Sequence, residues 1–247
     1  MRVAKAFAAT LVLLAAVAGA AAAQEIETAT FHNHLYYDLG TGLMYSPKGG
    51  AVTQLAGDVY NNTNPVQPIL GGLSFADLNT ITGDRIVATG TGVLQEMDFT
   101  VYNPSTSAGP LLSGTFNIGI YNGSTNVLIG GFTTGSVLFS GLNPGFFSIV
   151  TITGISGLNI NLNTTDLLVT QQSATRVGTA TRLGVVILDP PSIGSSFAAS
   201  MFISNAANPA GYYNVGANGT PGYRINESQP VPAATTTWGA IKAGYRN

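Results

Sequence analysis

Residues 83–172 constrain the fold more than any other part of the chain. Apolar and polar residues alternate there in runs such as MDFTVYN and TFNIGIYN, and the runs end at Gly, Asn or Pro. This period of two is typical of antiparallel strands with one buried and one exposed face. Because such a sheet must bury its apolar face, we predict an all-β fold in which two antiparallel sheets pack as a sandwich.

Four local patterns give specific expectations. In residues 93–102, the alternation predicts that Val93, Met97, Phe99 and Val101 point inward. Asn122-Gly123 predicts a hairpin turn between residues 115–121 and 127–132. Residues 147–153 and 158–162 are expected to pair with each other. The continuous apolar run of residues 183–188 predicts a central strand that is covered on both faces.

The N-terminus predicts export. Arg2 and Lys5 precede an apolar run that ends in three alanines, so residues 1–23 are interpreted as a signal peptide cleaved after Ala23, with a membrane anchor as the alternative. The mature chain then has seven basic and eleven acidic residues, a net charge of −4. It has no basic patch and no further apolar span, so neither a nucleic-acid partner nor a transmembrane segment is expected.

Composition indicates a globular domain with an uncharged polar surface. Charged residues make up 8% of the chain, against about 25% in ordinary globular proteins. The apolar content is too high for disorder, and the chain has no cysteine, so the core alone must stabilise residues 24–228.

The C-terminus differs in character from the domain. Residues 229–237 are rich in Pro and Thr and predict an extended linker. In residues 238–247, Trp238, Ile241 and Tyr245 share one face of a short amphipathic helix. This tail is interpreted either as docked on the domain or frayed, or as an exposed docking or sorting peptide.

A metal site is one hypothesis for the N-terminal strand. His32 and His34 are two residues apart, so both rings point to one side of a strand, with Asp38 on the same face. The alternative is two surface histidines, because the chain has only these two His residues and a third histidine ligand is missing.

Two carboxylates on one strand form a second candidate site. Glu96 and Asp98 are expected on an open outer face, where acids hydrate the surface or bind Ca²⁺ loosely. A glycosidase pair is the less favoured interpretation, because such pairs face each other across a cleft. The sequence also lacks a cysteine and a Gly-x-Ser-x-Gly nucleophile motif, so an enzyme is not expected.

Tyrosines in the late loops form a third candidate site. Tyr212, Tyr213 and Tyr223, with Asn214, have the aromatic and amide groups that stack on and hydrogen-bond sugars. The alternative, which we favour, is that these tyrosines belong to the core.

The sequence contains three further motifs, GDRI at residues 83–86, IGIYNG at residues 118–123 and LDPPSIGSS at residues 188–196. They resemble motifs of secreted bacterial β-sandwich proteins of the PEP-CTERM or choice-of-anchor type. The resemblance covers residues 50–226 and implies a jelly-roll-like sandwich at the cell surface or in the extracellular matrix. The family's usual C-terminal sorting signal is not matched.

Two functions follow as hypotheses. The first is a secreted, non-enzymatic structural or adhesive protein that needs no cofactor and acts by self-association, as a homo-oligomer or filament, or by surface contact. The second is a jelly-roll carbohydrate-binding module for surface polysaccharide, with structural Ca²⁺ as a further option.

Overall fold

The computed structural model describes residues 26–45, 57–63, 68–188, 190–197, 200–207, 210–214 and 219–228. These residues form eighteen strands and one short 3₁₀ helix at Ile155–Leu158. The strands are β1 (Thr30–Asp38), β2 (Leu43–Tyr45), β3 (Asp58–Asn61), β4 (Ile69–Phe75), β5 (Ile81–Val87), β6 (Gly92–Asn103), β7 (Leu111–Asn122), β8 (Leu128–Thr133), β9 (Val137–Leu142), β10 (Phe146–Thr153), β11 (Asn161–Leu162), β12 (Asp166–Gly178), β13 (Leu183–Leu188), β14 (Ser195–Ser196), β15 (Ser200–Ser204), β16 (Gly211–Asn214), β17 (Thr220–Pro221) and β18 (Tyr223–Ser228).

The strands form two sheets, which confirms the predicted all-β, two-sheet class. Sheet A has ten strands in the main order β17-β13-β6-β10-β1-β2, with β3, β4, β11 and β18 paired at its flanks. Sheet B has eight, in the main order β16-β15-β5-β12-β7-β8, with β9 and β14 beside it. The pairing is mainly antiparallel, but β1 runs parallel to β10. The expectation that all neighbouring strands are antiparallel is wrong for this pair. A short hairpin can join only antiparallel strands, whereas the long connection between β1 and β10 allows the two strands to run in the same direction.

The main core lies between the sheets. Met97, Phe99 and Val101 of β6 are buried there as predicted, and the Phe99 ring lies 5.2 Å from that of Phe116 on sheet B. The expectation for Val93 is wrong, because Leu94 is buried instead. A register shift between β6 and β18 places one extra residue, Gln95, in β6, and such a bulge reverses the alternation before it.

Strand β13 is apolar on both faces, as the sequence predicts. Val185 and Ile187 pack in a cluster with Met201 and Ile203 of β15. Val186 and Leu188 belong to a separate cluster on the outer face of sheet A. Since both faces are covered, no polar alternation is needed, which explains the unbroken apolar run.

Two hairpin predictions have different outcomes. Strands β7 and β8 pair as predicted, and the Asn122 side chain accepts hydrogen bonds from the backbone of Ser124 and Thr125 in their turn. The predicted pairing of residues 158–162 with β10 is wrong, because β11 pairs with β6. Gly154 and Asn159 have φ angles of 71° and 51°, and these left-handed residues bound the 3₁₀ helix that redirects the chain.

The predicted signal peptide, the linker at residues 229–237 and the tail with Trp238, Ile241 and Tyr245 lie outside the described residues. Within the part of the chain that is described, no helix is long and apolar enough to cross a membrane.

Candidate binding site on the outer face of sheet B

A shallow trough crosses the outer face of sheet B at right angles to the strands. Its floor is a row of residues paired across four strands, namely Gly131, Gly119, Thr170 and Gly83. Three of these four positions have no side chain, so the sheet surface is low along this row. The cavity in the trough measures about 360 Å³. Concave surfaces of this kind are the usual place for ligands.

One wall of the trough is a ladder of polar side chains. The Thr133 hydroxyl donates to Asn117 Oδ1 at 2.8 Å, and Asn117 Nδ2 donates to Gln172 Oε1 at 3.1 Å. These residues lie on β8, β7 and β12, in the row next to the glycines. Because Asn117 donates to the side-chain oxygen of Gln172, the amide of Gln172 is held in one orientation.

The opposite wall carries an aromatic ring. Tyr121 lies over Gly119, where an added Cβ atom would stand only 2.7 Å from the ring atom Cε2. The absence of a side chain at Gly119 therefore lets the tyrosine lie close to the sheet. Leu128 pairs with Tyr121 at the β8 edge, and its side chain is 58% exposed.

The floor row continues past Gly83 to a pair of aromatic residues. Phe202 pairs with Gly83, and Tyr212 pairs with Phe202, with the two rings 5.8 Å apart. Tyr212 is 42% exposed. Burial raises the pKa of Tyr212, against the opposing effect of the nearby Arg85, so its hydroxyl is protonated at neutral pH. The row spans six strands, about 24 Å at a strand spacing of about 4.8 Å.

The charges beside the trough neutralise each other. Arg85 donates from Nε and a terminal nitrogen to both oxygens of Asp166, and its guanidinium lies 4.6 Å from the Phe197 ring centre. The hydrogen bond from Arg85 lowers the pKa of Asp166 and raises that of Arg85. Both groups therefore stay ionised and paired, and the pair adds no net charge to this face.

A second groove adjoins the trough at the β8 edge. It measures about 480 Å³ and is lined on one side by the β7–β8 turn and on the other by residues 159–163. Leu128 lines both the trough and this groove. In the segment NINLN, Ile160 and Leu162 are buried, whereas Asn159, Asn161 and Asn163 are exposed. We call this second site the asparagine groove.

The structure separates the tyrosines that the sequence grouped as a sugar site. Tyr212 lies on the row that continues from the floor of the trough, whereas Tyr213 packs against the cluster of Leu73, Phe75 and β13. Tyr223 is fully buried in the main core, where no sugar reaches it, so its assignment to a binding site is corrected. Asn214 is the last residue of β16 and pairs with Ser200.

The predicted metal ligands are engaged elsewhere. His34 Nε2 lies 2.7 Å from the Thr151 hydroxyl, and Asp38 Oδ1 accepts from the backbone and side chain of Thr41. A register shift between Phe31 and Asn33 disturbs the regular spacing of His32 and His34. Burial is the main cause of the lowered pKa of His34. The pKa of Asp38 is also lowered, mainly by the hydrogen bond from the backbone of Thr41. Among the described residues, no three His, Cys, Asp or Glu side chains form a metal-binding group.

The carboxylates of Glu96 and Asp98 do not lie on an open face, which corrects the sequence interpretation. Asp98 is fully buried, and Arg224 of β18 binds both of its oxygens at 2.9 and 3.0 Å. Arg224 also contacts Glu96 at 3.1 Å and Asp58 at 3.0 Å. The Thr151 hydroxyl donates to Asp98 at 2.7 Å, so His34 is linked to this network. The arrangement is a buried ion-pair network within sheet A.

Sequence analysis missed the trough, although a signal was present. Gly119, Gly131 and Thr170 lie at positions where the alternation predicts exposed polar side chains, and glycines there mark a surface left low. What the sequence does not show is that these positions are neighbours. Comparisons with models of known protein families, with curated proteins and with solved structures found no match. Fold and site together define an all-β, two-sheet protein with an uncharged trough across one face.

Proposed function

We propose that the protein is an exported, non-enzymatic adhesive protein of the cell surface or extracellular matrix that binds polysaccharide through the trough on sheet B. The observation that carries the proposal is a glycine floor with an amide wall on one side and Tyr121 on the other, in a row of residues that continues to the exposed Tyr212. Export and surface location rest on residues 1–23 and on the family resemblance. A jelly-roll-like order of the strands is part of the same proposal.

The chemistry of the trough suits a sugar chain. Sugar rings have an apolar face, which stacks on aromatic side chains, and a rim of hydroxyls, which both donate and accept hydrogen bonds. Tyr121 in one wall and Tyr212 further along the floor row offer aromatic surface, and Asn117 and Gln172 offer amides in the opposite wall. An extended ligand is favoured over a compact one because the row runs across six strands.

The substitution Tyr212→Ala tests the trough directly. We expect it to weaken polysaccharide binding by about tenfold, because exposed aromatic anchors are common hot spots of binding. Affinity electrophoresis of the mature protein against a panel of soluble polysaccharides, with and without EDTA, measures this. Tyr45→Ala on β2 is a matched control, since Tyr45 is also 42% exposed but lies on sheet A.

The outcomes of this test are separable. Equal losses in Tyr212→Ala and Tyr45→Ala would place binding outside the trough. A protein that binds no polysaccharide in the panel, with or without EDTA, would overturn the proposal altogether. If the wild type lost its polysaccharide binding in EDTA, a structural Ca²⁺ ion would become part of the proposal.

Self-association is a second candidate function, supported by the edge strand β8. Its sequence LIGGFT has no charge and no proline, the usual devices that protect an exposed edge. Within the described residues β8 pairs only with β7, and Val127 and Leu128 are 63% and 58% exposed. An edge of this kind accepts a strand from a second copy.

A charge at this edge tests self-association. We expect light scattering of the mature wild type to show concentration-dependent oligomers and Val127→Lys to be monomeric, because a lysine beside an exposed edge strand is one of the devices that block addition of another strand. Leu158→Lys, a change at another exposed apolar residue, controls for added charge. A wild type that is monomeric at high concentration would count against this function.

A further inference from the structure

We infer that the ligand of the trough is an uncharged polysaccharide and that its chain continues past Leu128 into the asparagine groove. This inference rests on the proposed function and makes it more specific, since it names the class of polysaccharide and adds a second part to the site. It is carried by three observations, namely the absence of charge in the described lining, the Leu128 side chain that lines both cavities, and the three exposed asparagines of the groove.

Charge defines the ligand class. Of the described residues that line the trough or the asparagine groove, none is charged. Arg85 lies on the same face of sheet B, but its guanidinium is held by both oxygens of Asp166 and faces the Phe197 ring. Carboxylate or sulfate groups on a polysaccharide are bound in proteins by unpaired Arg or Lys side chains. The site lacks such a partner in its described part, so it suits a neutral chain.

The path of the chain follows from the shared position of Leu128. This side chain is exposed and lines both the trough and the groove, so a ligand that leaves the trough at β8 passes over Leu128 into the groove. The lack of a side chain at Gly130 lets residues 159–163 lie close to β8. A Cβ atom at Gly130 would stand 3.0 Å from Ile160, so a larger residue would push residues 159–163 away from β8.

The asparagines form a repeating set of neutral hydrogen-bonding groups. The buried side chains of Ile160 and Leu162 anchor the segment, and the exposed Asn159, Asn161 and Asn163 alternate with them. Asn161 and Asn163 flank Leu162 at the extended strand β11, where alternate residues are about 6.6 Å apart, whereas Asn159 precedes them in a left-handed conformation. Each amide both donates and accepts, which matches the hydroxyls of a sugar chain. A repeating row of exposed amides is suited to a repeating polymer rather than to the apolar surface of a protein partner.

The test uses the mature protein and two kinds of polymer. Hydroxyethylcellulose, dextran and galactomannan are the neutral probes, and alginate and polygalacturonate are the acidic ones. We expect at least one neutral polymer to bind, with its Kd changing less than twofold between 50 and 500 mM NaCl. We expect no binding of the acidic polymers. Salt-sensitive binding of alginate or polygalacturonate instead would overturn the assignment of a neutral ligand.

A double variant tests the extension of the site. We expect Asn161→Ala with Asn163→Ala to weaken binding of the long neutral polymer about tenfold, and to leave binding of a tetrasaccharide from the same polymer unchanged. Tyr212→Ala is expected to weaken both. The control is Asn79→Ala with Asn143→Ala, at two exposed asparagines elsewhere, and circular dichroism checks that all variants fold.

The possible results separate this inference from the proposed function. Polymer binding that Tyr212→Ala weakens and the Asn161 and Asn163 changes do not would overturn the extension and keep the trough. Equal loss of tetrasaccharide and polymer in the double variant would also overturn it, because the groove would then not be a separate continuation. Absence of binding to every polymer would overturn both proposals.

Discussion

Replacing Arg224 with Met is expected to destabilise the protein by about 3–5 kcal/mol, the usual loss when one partner of a buried ion pair is removed. The Arg224 side chain is 1% exposed, and those of Asp98 and Asp58 are fully buried. Without the guanidinium, two carboxylates would remain in the interior without their counter-ion. Glu96 is expected to contribute little, because 30% of its side chain is exposed to solvent.

The charge on Arg224 is present at every pH of interest. Burial by itself lowers the pKa of Arg224, but the attraction of Asp98 and the other carboxylates outweighs it, and the pKa is raised overall. Urea unfolding of Arg224→Met against Arg176→Met measures the effect, because within the described part of the chain Arg176 donates a single long bond of 3.5 Å at an exposed site. Adding Asp98→Asn to Arg224→Met should recover part of the loss. A loss below about 1 kcal/mol would mean that the network is solvated.

Asp84→Asn is expected to stabilise the protein at pH 8 by roughly 1–3 kcal/mol, because the wild type must keep a proton on this buried carboxyl, at a cost of about 1.4 kcal/mol for each unit by which its folded-state pKa exceeds the unfolded one. Asp84 lies on β5 and is fully buried, and among the described residues neither of its carboxylate oxygens has a hydrogen-bond partner. Burial raises the pKa of Asp84 well above its usual value. Asn has almost the same shape as the protonated acid and does not ionise.

The sign of the pH dependence follows from this raised pKa. In the unfolded chain Asp84 loses its proton near pH 4, whereas in the folded protein it keeps the proton to higher pH. The wild type therefore loses stability relative to Asp84→Asn as the pH rises from 4, until the folded-state pKa is passed. Denaturant unfolding at pH 4, 6 and 8 measures this difference.

Asp166→Asn is the matched control for Asp84, with the opposite sign. Arg85 lowers the pKa of Asp166, so this carboxylate contributes stability above pH 4 that is lost as the pH falls. The free energies of unfolding of the two variants, each relative to the wild type, should therefore move apart between pH 4 and pH 8. If Asp84→Asn differed from the wild type by the same amount at all three pH values, Asp84 would be ionised in the folded state or hydrated.

Much of the fold can be predicted from short stretches of sequence. The period of two in β6 and β7 predicts which of their residues face the core, and the apolar run of β13 predicts a strand covered on both faces. The hairpin between β7 and β8 is also local, because the Asn122 side chain binds the backbone two and three residues later. These features depend only on neighbours in the chain, and so they were predictable.

The local rules fail where a single residue changes the phase or direction of the chain. Gln95 forms a bulge in β6, and as a result Leu94 lies in the core in place of Val93. Gly154 and Asn159 adopt left-handed backbone angles, and β11 therefore pairs with β6 rather than β10. Nothing in the alternation itself shows such shifts, because they are decided by what the strand meets on either side.

The sites were decided by tertiary structure alone. Asp98 and Arg224 are 126 positions apart, and each one by itself has the pattern of an exposed residue on a strand. They form a buried pair because β18 lies beside β6. Likewise, Gly83, Gly119 and Gly131 make a trough only because the register between β5, β12, β7 and β8 aligns them. Sequence determines the face to which a side chain points, whereas strand order and register determine its neighbours on that face.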